Sequence, residues 1–515
     1  MPPGESEMTS TADELSALLS SAALVFAGTV VSVVARLGER IVLGRTLDTG
    51  VYGDVTIALA IVSMGSTLAG VGLTQGVPRY MSRFEDPADV RGVLVTGFVV
   101  ALSVALTVAA ALVLNVGWLA GALFETPGAS VFLLPFVLTI PFQVGMRISI
   151  GGIRGLENTV YKTLVGDLFF PFARVALLVM LLSAGVGVAA AGYAYLVAAA
   201  TAFLIGLALL NRLLSLVGQF RTRIRELVAF SAPLIVATVL NVLLTRTDTV
   251  MIGYFDSSVA TGLYGYAYPL ATGLLLVVAS FGFLYLPLAS RFDANDRHQE
   301  LDAVYTITTK WAFIATFPAF LTFVVFPGDV LAIFFAERAR PAALALVVLA
   351  GGFFTNAAFG RNRETLSALG RTKLIMTGNG LAYGLNVCLN FLLIPPYSYL
   401  GAAVASAISY VSLNLFIYVI LRYRFDITPF SRWTRRTFVV LSLTLFPPAY
   451  LVSQWYTLTA ATLPVVLVGA ALASVGVIVA TGCLQPEDEI VVTAVEDAVG
   501  FELTALRRFL PFPGE

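Results

Sequence analysis

Residues Leu243–Leu270 read LLTRTDTVMIGYFDSSVATGLYGYAYPL. The segment opens as an apolar helix that carries Arg246 and Asp248 at membrane depth. It breaks at Asp256-Ser257-Ser258 and restarts at Gly262-Leu263-Tyr264-Gly265. A near copy lies close to the start of the chain. There Arg36 sits in an apolar run, Leu43-Gly44-Arg45-Thr46-Leu47-Asp48 follows, and Gly50-Val51-Tyr52-Gly53 restarts the helix. Gly44 to Gly253 spans 209 residues and Gly53 to Gly265 spans 212. Each copy ends a second apolar run with Ser-Arg-Phe, at Ser82-Arg83-Phe84 and Ser290-Arg291-Phe292. A period near 210 residues marks two homologous halves.

The 515-residue chain is 58% hydrophobic and 12% charged, with a mean hydropathy of +0.89. A soluble domain carries about 25% charge, so this composition places the chain in lipid. Net charge is zero and no basic patch interleaves with aromatics, which argues against nucleic-acid binding. Cys388 and Cys483 fall in separate apolar runs and suggest neither a disulfide framework nor a metal site. His298 reads as a solvated loop residue. Residues 1–15 are polar and acidic with no cleavage signal after a short apolar run, so the first run is expected to be retained as a helix. No Walker, H-E-x-x-H or G-x-S-x-G motif occurs. The expectation is a transporter without a cofactor rather than an enzyme.

A membrane helix needs about 20 mostly apolar residues. Fourteen runs qualify, near 17–43, 52–78, 90–120, 129–153, 160–183, 187–211, 227–253, 261–288, 305–327, 341–360, 373–394, 399–421, 436–455 and 461–483. Gly187-Val188-Ala189-Ala190 and Gly401-Ala402-Ala403-Val404, 214 residues apart, extend the repeat to the fifth and sixth helices of each half. The predicted fold class is an all-α polytopic membrane protein. A tail over 1–16 precedes an N-lobe of six helices over 17–211. An amphipathic linker over 212–226, read as a helix on the inner leaflet or as a plain hinge, leads to a C-lobe of six helices over 227–421. Two appended helices over 436–483 and a tail over 484–515 complete the chain. Six is even, so the halves are parallel repeats about an axis along the membrane normal, enclosing a cavity.

Of 31 Lys and Arg residues, three (Arg45, Arg338, Arg340) fall on one side of this alternation and five inside helices, leaving 23 on the other side. The positive-inside rule then predicts that both termini are cytoplasmic, in the cell membrane.

The five basic residues inside helices are Arg36, Arg40, Arg147, Arg174 and Arg246, with Asp167 and Asp248 as acidic partners. A buried charge costs at least ~2.5–3.5 kcal/mol on insertion scales and is rarely idle. Arg36 and Arg246 are 210 residues apart, at equivalent depth in the two repeats. Two guanidiniums facing one cavity make an anion site, and the planar fork of arginine suits phosphate. Snorkelling, pairing with carboxylates, or locking the lobes together are the structural alternatives. Asp167 and Arg174, seven apart, share a helix face and are placed to pair through water or a third group. Asp248 either binds a coupling cation, orients Arg246 or caps the helix end. Pro233 and Pro269 are the candidate hinge positions, since proline frees carbonyls and permits bending.

Three features resemble a known family in their order and spacing. They are the G-x-Y-G restart at Gly50–Gly53, the Asp248-to-Gly253 segment, and Asn386, Asn390, Pro395 and Tyr399-Leu400-Gly401-Ala402-Ala403. Over residues 15–425 the chain resembles the polysaccharide biosynthesis branch, the oligosaccharide flippases, of the multidrug/oligosaccharidyl-lipid/polysaccharide exporter superfamily. The resemblance implies two six-helix lobes in a V, two further helices, and alternating access. It also implies a lipid-linked oligosaccharide as substrate, carried on a polyprenyl or dolichyl (pyro)phosphate and moved from the cytoplasmic to the outer leaflet. Membrane lipids and glycosyltransferases or a polymerase of the same pathway are the implied partners. Coupling to a Na+ or H+ gradient, or to consumption of the glycan, stays open. A cation-coupled multidrug exporter of the same superfamily and a membrane glycan polymerase or ligase are the alternatives.

Overall fold

The computed structural model describes residues 27–70, 72–126, 128–281, 285–489 and 493, and within these not the side chains of Pro233, Val236 and Ala237. The N-terminal tail over 1–16, the start of the first apolar run, and the C-terminal tail beyond 489 apart from residue 493 lie outside the described residues.

The helices are α1 (27–46), α2 (Thr49–Ala69), α3 (Leu73–Met81), α4 (Pro87–Leu114), α5 (Val116–Leu123) and α6 (Ala129–Gly155). They continue with α7 (Thr159–Ser183), α8 (Ala189–Leu213), α9 (Ile224–Phe255), α10 (Ser258–Ser280), α11 (Tyr285–Ala294) and α12 (His298–Val325). The last are α13 (Pro327–Phe335), α14 (Ala343–Phe359), α15 (Asn362–Ala368), α16 (Thr372–Phe425), α17 (Arg432–Ser453) and α18 (Leu463–Ala480). No strand occurs among the described residues. Eleven described helical spans are long and apolar enough to cross a membrane. The chain is a polytopic all-α membrane protein.

Helix α16 has 54 residues. At 1.5 Å per residue that is about 80 Å, against about 30 Å of hydrocarbon. The chain solves this by breaking at Ser398, where φ is 57° and ψ is −143°. The sequence count of fourteen treats its two arms, residues 27–46 and α9 as separate passes.

Contacts divide the chain into two units, Met1–Gly262 and Leu263–Glu515. In the first, α6 packs on α2, α3, α4 and α8, and α9 packs on α2 and α3. In the second, α12 packs on α14, α17 and α18, and α14 packs on α16. The division falls inside α10, whereas the sequence repeat turns over in the 212–226 connection. Helix α9 joins the first unit because its side chains meet α2 and α3. Gly72 and Gly76 allow that approach: a methyl group at either would fall about 2.5 Å or less from Ser231 atoms.

The second apolar run of each half is split. Helix α2 stops at Ala69 before α3, and α10 stops at Ser280 before α11, 211 residues later. The sequence reading took each pair as one continuous helix. Gly72, with φ at +68°, marks the first break.

Of the two readings of 212–226, the surface helix is not formed and the hinge is, because residues 214–223 are irregular. The segment is tied to the start of α4 instead. Arg221 N–H donates to the Ala88 carbonyl at 3.0 Å. Arg91 donates to the Ser215 and Gln219 carbonyls at 2.8 and 3.1 Å. Arg221 pairs with Asp86 at 2.8 Å and Arg223 with Asp89 at 3.1 Å. The arginines spend their donors on protein partners, and the backbone follows them rather than a helix.

Candidate functional site

Helix α1 carries Arg36, Glu39 and Arg40 within two turns. They meet Arg147 of α6, Asp167 and Arg174 of α7, and Tyr195 of α8, all in the first unit. Residues Thr163–Phe169 of α7 are π-helical, which re-aims Asp167. Gly28 of α1 lets that segment in close, since a methyl there would lie 3.3 Å from Asp167 Cβ.

Two of the charged groups are sealed inside the bundle. Arg174 Nη2 lies 2.8 Å from Glu39 Oε2, with the two side chains 8% and 2% exposed. The guanidinium sits between the rings of Phe170 and Tyr195, 4.7 and 4.5 Å from their centroids. Glu39 was not among the acidic residues singled out in the sequence. Its adjacency to Arg40 at the end of an apolar run was the available signal. Asp167, expected to serve Arg174, pairs instead with Lys162 at 2.5 Å, because the π-turn rotates it toward the start of α7. Arg40 turns to α2 and donates to Thr56 Oγ1 at 3.2 Å.

Arg36 and Arg147 differ from these. Arg36 is exposed and bonds only within its own helix, to the Ser32 carbonyl at 3.2 Å and Ser32 Oγ at 3.0 Å. Arg147 reaches Thr67 Oγ1 at 3.5 Å. The two guanidiniums lie within electrostatic reach of each other. Among the described residues, no carboxylate pairs with either at ion-pair distance. Asp167 and Glu39 act on Arg36 from farther off, so two guanidiniums with no ion-paired carboxylate form a site that an anion can complete.

Arg246 and Asp248 lie on α9, Asp248 buried and Arg246 partly buried. Pro269 lies within α10 without breaking it. Pro233 lies within the range of α9, its side chain outside the described residues.

The two G-x-Y-G tyrosines, Tyr52 and Tyr264, are both buried core residues. The glycines have a separate role. A methyl at Gly53 would lie 1.8 Å from the Ser258 carbonyl oxygen, and one at Gly262 would lie 2.1 Å from that of Thr49. The starts of α2 and α10 therefore touch backbone to backbone. Buried Asp54 closes this junction. Its carboxylate accepts the Ser258 hydroxyl and the Thr126 N–H at 3.2 Å, and Ser258 Oγ accepts the Glu125 N–H at 3.2 Å. Asp54 was also missed in the sequence, although it directly follows the motif.

The second unit holds a buried pair that the sequence reading placed in a connection. Lys310 lies twelve residues into α12, fully buried, and pairs with equally buried Asp488, just past α18. Asp488 also accepts Trp311 Nε1–H and the Gln485 N–H, both at 2.9 Å.

Comparison with known proteins gives a consistent family. The model described as "Polysaccharide biosynthesis protein" matches residues 18–293, more than half of the chain, and the MatE model matches residues 233–392. The chain is 24% identical over 186 residues to the "Probable low-salt glycan biosynthesis flippase Agl15" of Haloferax volcanii, covering 36% of this chain and 39% of that protein. It is 23% identical over 272 residues to the "Probable flippase AglR" of the same organism, covering 52% and 56%. The alignments thus span about half or less of these curated relatives. In fold, the chain resembles a lipid II flippase, MurJ, in an inward closed conformation, with a TM-score of 0.72 at 12% identity, over 88% of this chain and 98% of that one. It also resembles an inward-facing multidrug resistance MATE family transporter, with a TM-score of 0.62 at 14% identity, over 80% and 96%.

Proposed function

The chain belongs to the polysaccharide biosynthesis protein family, and on that premise we propose that it is a flippase for a lipid-linked oligosaccharide. It moves the carrier-linked glycan from the cytoplasmic to the outer leaflet by alternating access, for surface polysaccharide or glycoprotein assembly. The carrier is a polyprenyl or dolichyl phosphate or pyrophosphate. The observation that carries this reading is that Arg36 and Arg147, within electrostatic reach of each other, have no ion-paired carboxylate among the described residues. A phosphate ester supplies the missing negative charge, and the planar arginine fork matches its oxygens. Arg246 is the counterpart of Arg36 in the second repeat and serves the same headgroup. The relative named as a glycan biosynthesis flippase supports the substrate class. The arginine distribution supports cytoplasmic termini.

The test is flipping of a fluorescent, prenyl-phosphate-linked sugar in liposomes containing the purified protein. Wild type flips it, and Arg36→Ala with Arg147→Ala does not. Normal flipping by the double variant removes the arginine pair from the mechanism.

The MatE match over 233–392 favours a second reading, cation-coupled export of small molecules. Dye efflux by these liposomes, with no flipping of the prenyl-linked sugar, would select it.

A further inference from the structure

The Glu39–Arg174 pair is a membrane-buried ion pair outside the proposed phosphate site. A carboxylate sealed in a bundle must take up a proton, bind a cation or face a fixed positive side chain. Here the third solution is built in, with Nη2 of Arg174 2.8 Å from Glu39 Oε2. The guanidinium is itself fixed, pressed between Phe170 and Tyr195.

The groups facing Glu39 come from every neighbouring helix. Arg36 and Arg40 share α1, and Arg174 comes from α7. Tyr195, whose hydroxyl borders the carboxylate, comes from α8, and Tyr52 beside Arg40 comes from α2. A second carboxylate near Arg36, Asp167, is taken by Lys162. Apart from Glu39 and Asp167, the charged groups named here are cationic. Among the described residues, one carboxylate oxygen, Oε1, and Nε of Arg174 have no hydrogen-bond partner. The pair is therefore held by charge and ring packing rather than by a saturated hydrogen-bond shell. It has room to change partners if either charge is lost.

We propose that Arg174 is a tethered counter-cation. It keeps Glu39 ionised without a bound sodium ion or proton, so that Glu39 carries no coupling cation during transport. Arg174 acts through Glu39 and is a positioning residue, not a ligand for the headgroup. The inference rests on this pair alone and not on the identity of the glycan. Its test, made without substrate, stands or falls separately from the flippase reading.

The experiment measures the Tm of the purified full-length protein in detergent. It compares sodium chloride with choline chloride at equal ionic strength, from about pH 8 to about pH 5. Wild type should show no sodium-specific shift and no acid stabilisation traceable to Glu39. Arg174→Met leaves a buried carboxylate without its cation. Its Tm should rise by about 2–4 °C with sodium or with acid, because either neutralises Glu39. Adding Glu39→Gln should abolish that dependence. Sodium or acid stabilisation of wild type that Glu39→Gln removes would overturn the proposal. So would an Arg174→Met protein that is folded and insensitive to both. If Arg174→Met yields no folded protein, Glu39→Gln decides. It strands a buried guanidinium and should melt below the Glu39→Gln, Arg174→Met double variant at every pH. A Glu39→Gln protein as stable as wild type would overturn the proposal.

Discussion

Asp54 of α2 accepts the hydroxyl of Ser258, the first residue of α10, with both side chains buried. The same carboxylate takes the Thr126 N–H, so three chain segments end on one acid. Asp54→Ala leaves buried donors without an acceptor, at about 1–3 kcal/mol for each unsatisfied group. A clear fall in Tm is expected, with a milder one for Asp54→Asn, which keeps an acceptor oxygen. With cytoplasmic termini, as proposed, this junction faces the outside. A Ser258→Cys probe should therefore react faster with an impermeant maleimide when combined with Asp54→Ala. The backbone contact gives a sharper contrast. Gly53→Ala places a methyl 1.8 Å from the Ser258 carbonyl oxygen, whereas Gly50→Ala meets only Val259 at 3.4 Å. The first should be far less stable than the second.

Arg36 and Arg147 should show the opposite signs of activity and stability. Arg147 is repelled by Arg36 and has no ion-paired carboxylate among the described residues, so Arg147→Met should leave the resting protein as stable as wild type or more so. Glycan flipping should fall at least about tenfold, the equivalent of about 1.4 kcal/mol of lost headgroup binding. Arg147→Lys keeps the charge but loses the bidentate fork and should fall in between. Flipping rates and Tm measured on one preparation check both signs. Loss of stability in parallel with loss of flipping would assign Arg147 a packing role.

Lys310 and Asp488 make a different prediction, because both are sealed and the pair belongs to the second unit. Removing one partner of a buried pair costs about 3–5 kcal/mol, whereas replacing both with apolar residues is often neutral. Lys310→Met should therefore melt well below wild type, and Lys310→Met with Asp488→Leu should recover most of the loss. The double variant also tests what holds the chain after α18 against α12, where Lys310 additionally donates to the Cys483 carbonyl at 3.0 Å.

The repeat, the all-helical class and the family were legible because they depend on composition and spacing over hundreds of residues. Polar contacts were less so. Glu39 and Asp54 each lie beside a recognised feature, Arg40 and the G-x-Y-G motif, yet nothing in one dimension shows which helix each faces. Lys310 was assigned to a connection because helix ends blur by several residues, and only its pairing with Asp488, 178 residues away, shows it to be interior. The linker misled for a related reason. Its alternating basic and apolar residues fit an amphipathic helix, but Arg221 and Arg223 pair with Asp86 and Asp89 at the start of α4.

Asp86 caps α4, and the Ala88 N–H, followed by the Arg221 guanidinium, holds its carboxyl below the usual range. The sign follows from that direction. The folded value lies below the unfolded one, so the stabilisation is present above about pH 3.9 and is lost as pH falls through the folded value. The increment is small because both side chains are exposed and screened. Its effect should be local: the Arg221 amide, bonded to the Ala88 carbonyl, should lose exchange protection in that acid window before the helices do. Asp86→Asn keeps the cap, since asparagine caps as well as aspartate, and removes only the charge. At neutral pH it should speed tryptic cleavage after Arg221.

Ser398 carries the fold-back of α16 at φ 57° and ψ −143°, a backbone conformation that suits glycine and strains any side chain. Proline comes just before, at Pro395 and Pro396, and ends the first arm by removing amide donors. The second arm then turns back so closely that a methyl on Gly401 would lie 2.1 Å from the Leu393 carbonyl oxygen. The strain at Ser398 and the closeness at Gly401 are therefore two parts of one turn, and they respond oppositely to substitution. Ser398→Gly relieves the strain but frees the unfolded chain, and should be neutral to about 1 kcal/mol stabilising. Ser398→Val should destabilise, because a β-branched residue tolerates positive φ least. Gly401→Ala should be worse than either, since backbone rather than a mobile side chain must move. Melting of the three variants ranks them, and a Gly401→Ala protein as stable as Ser398→Gly would show that the turn does not need this approach.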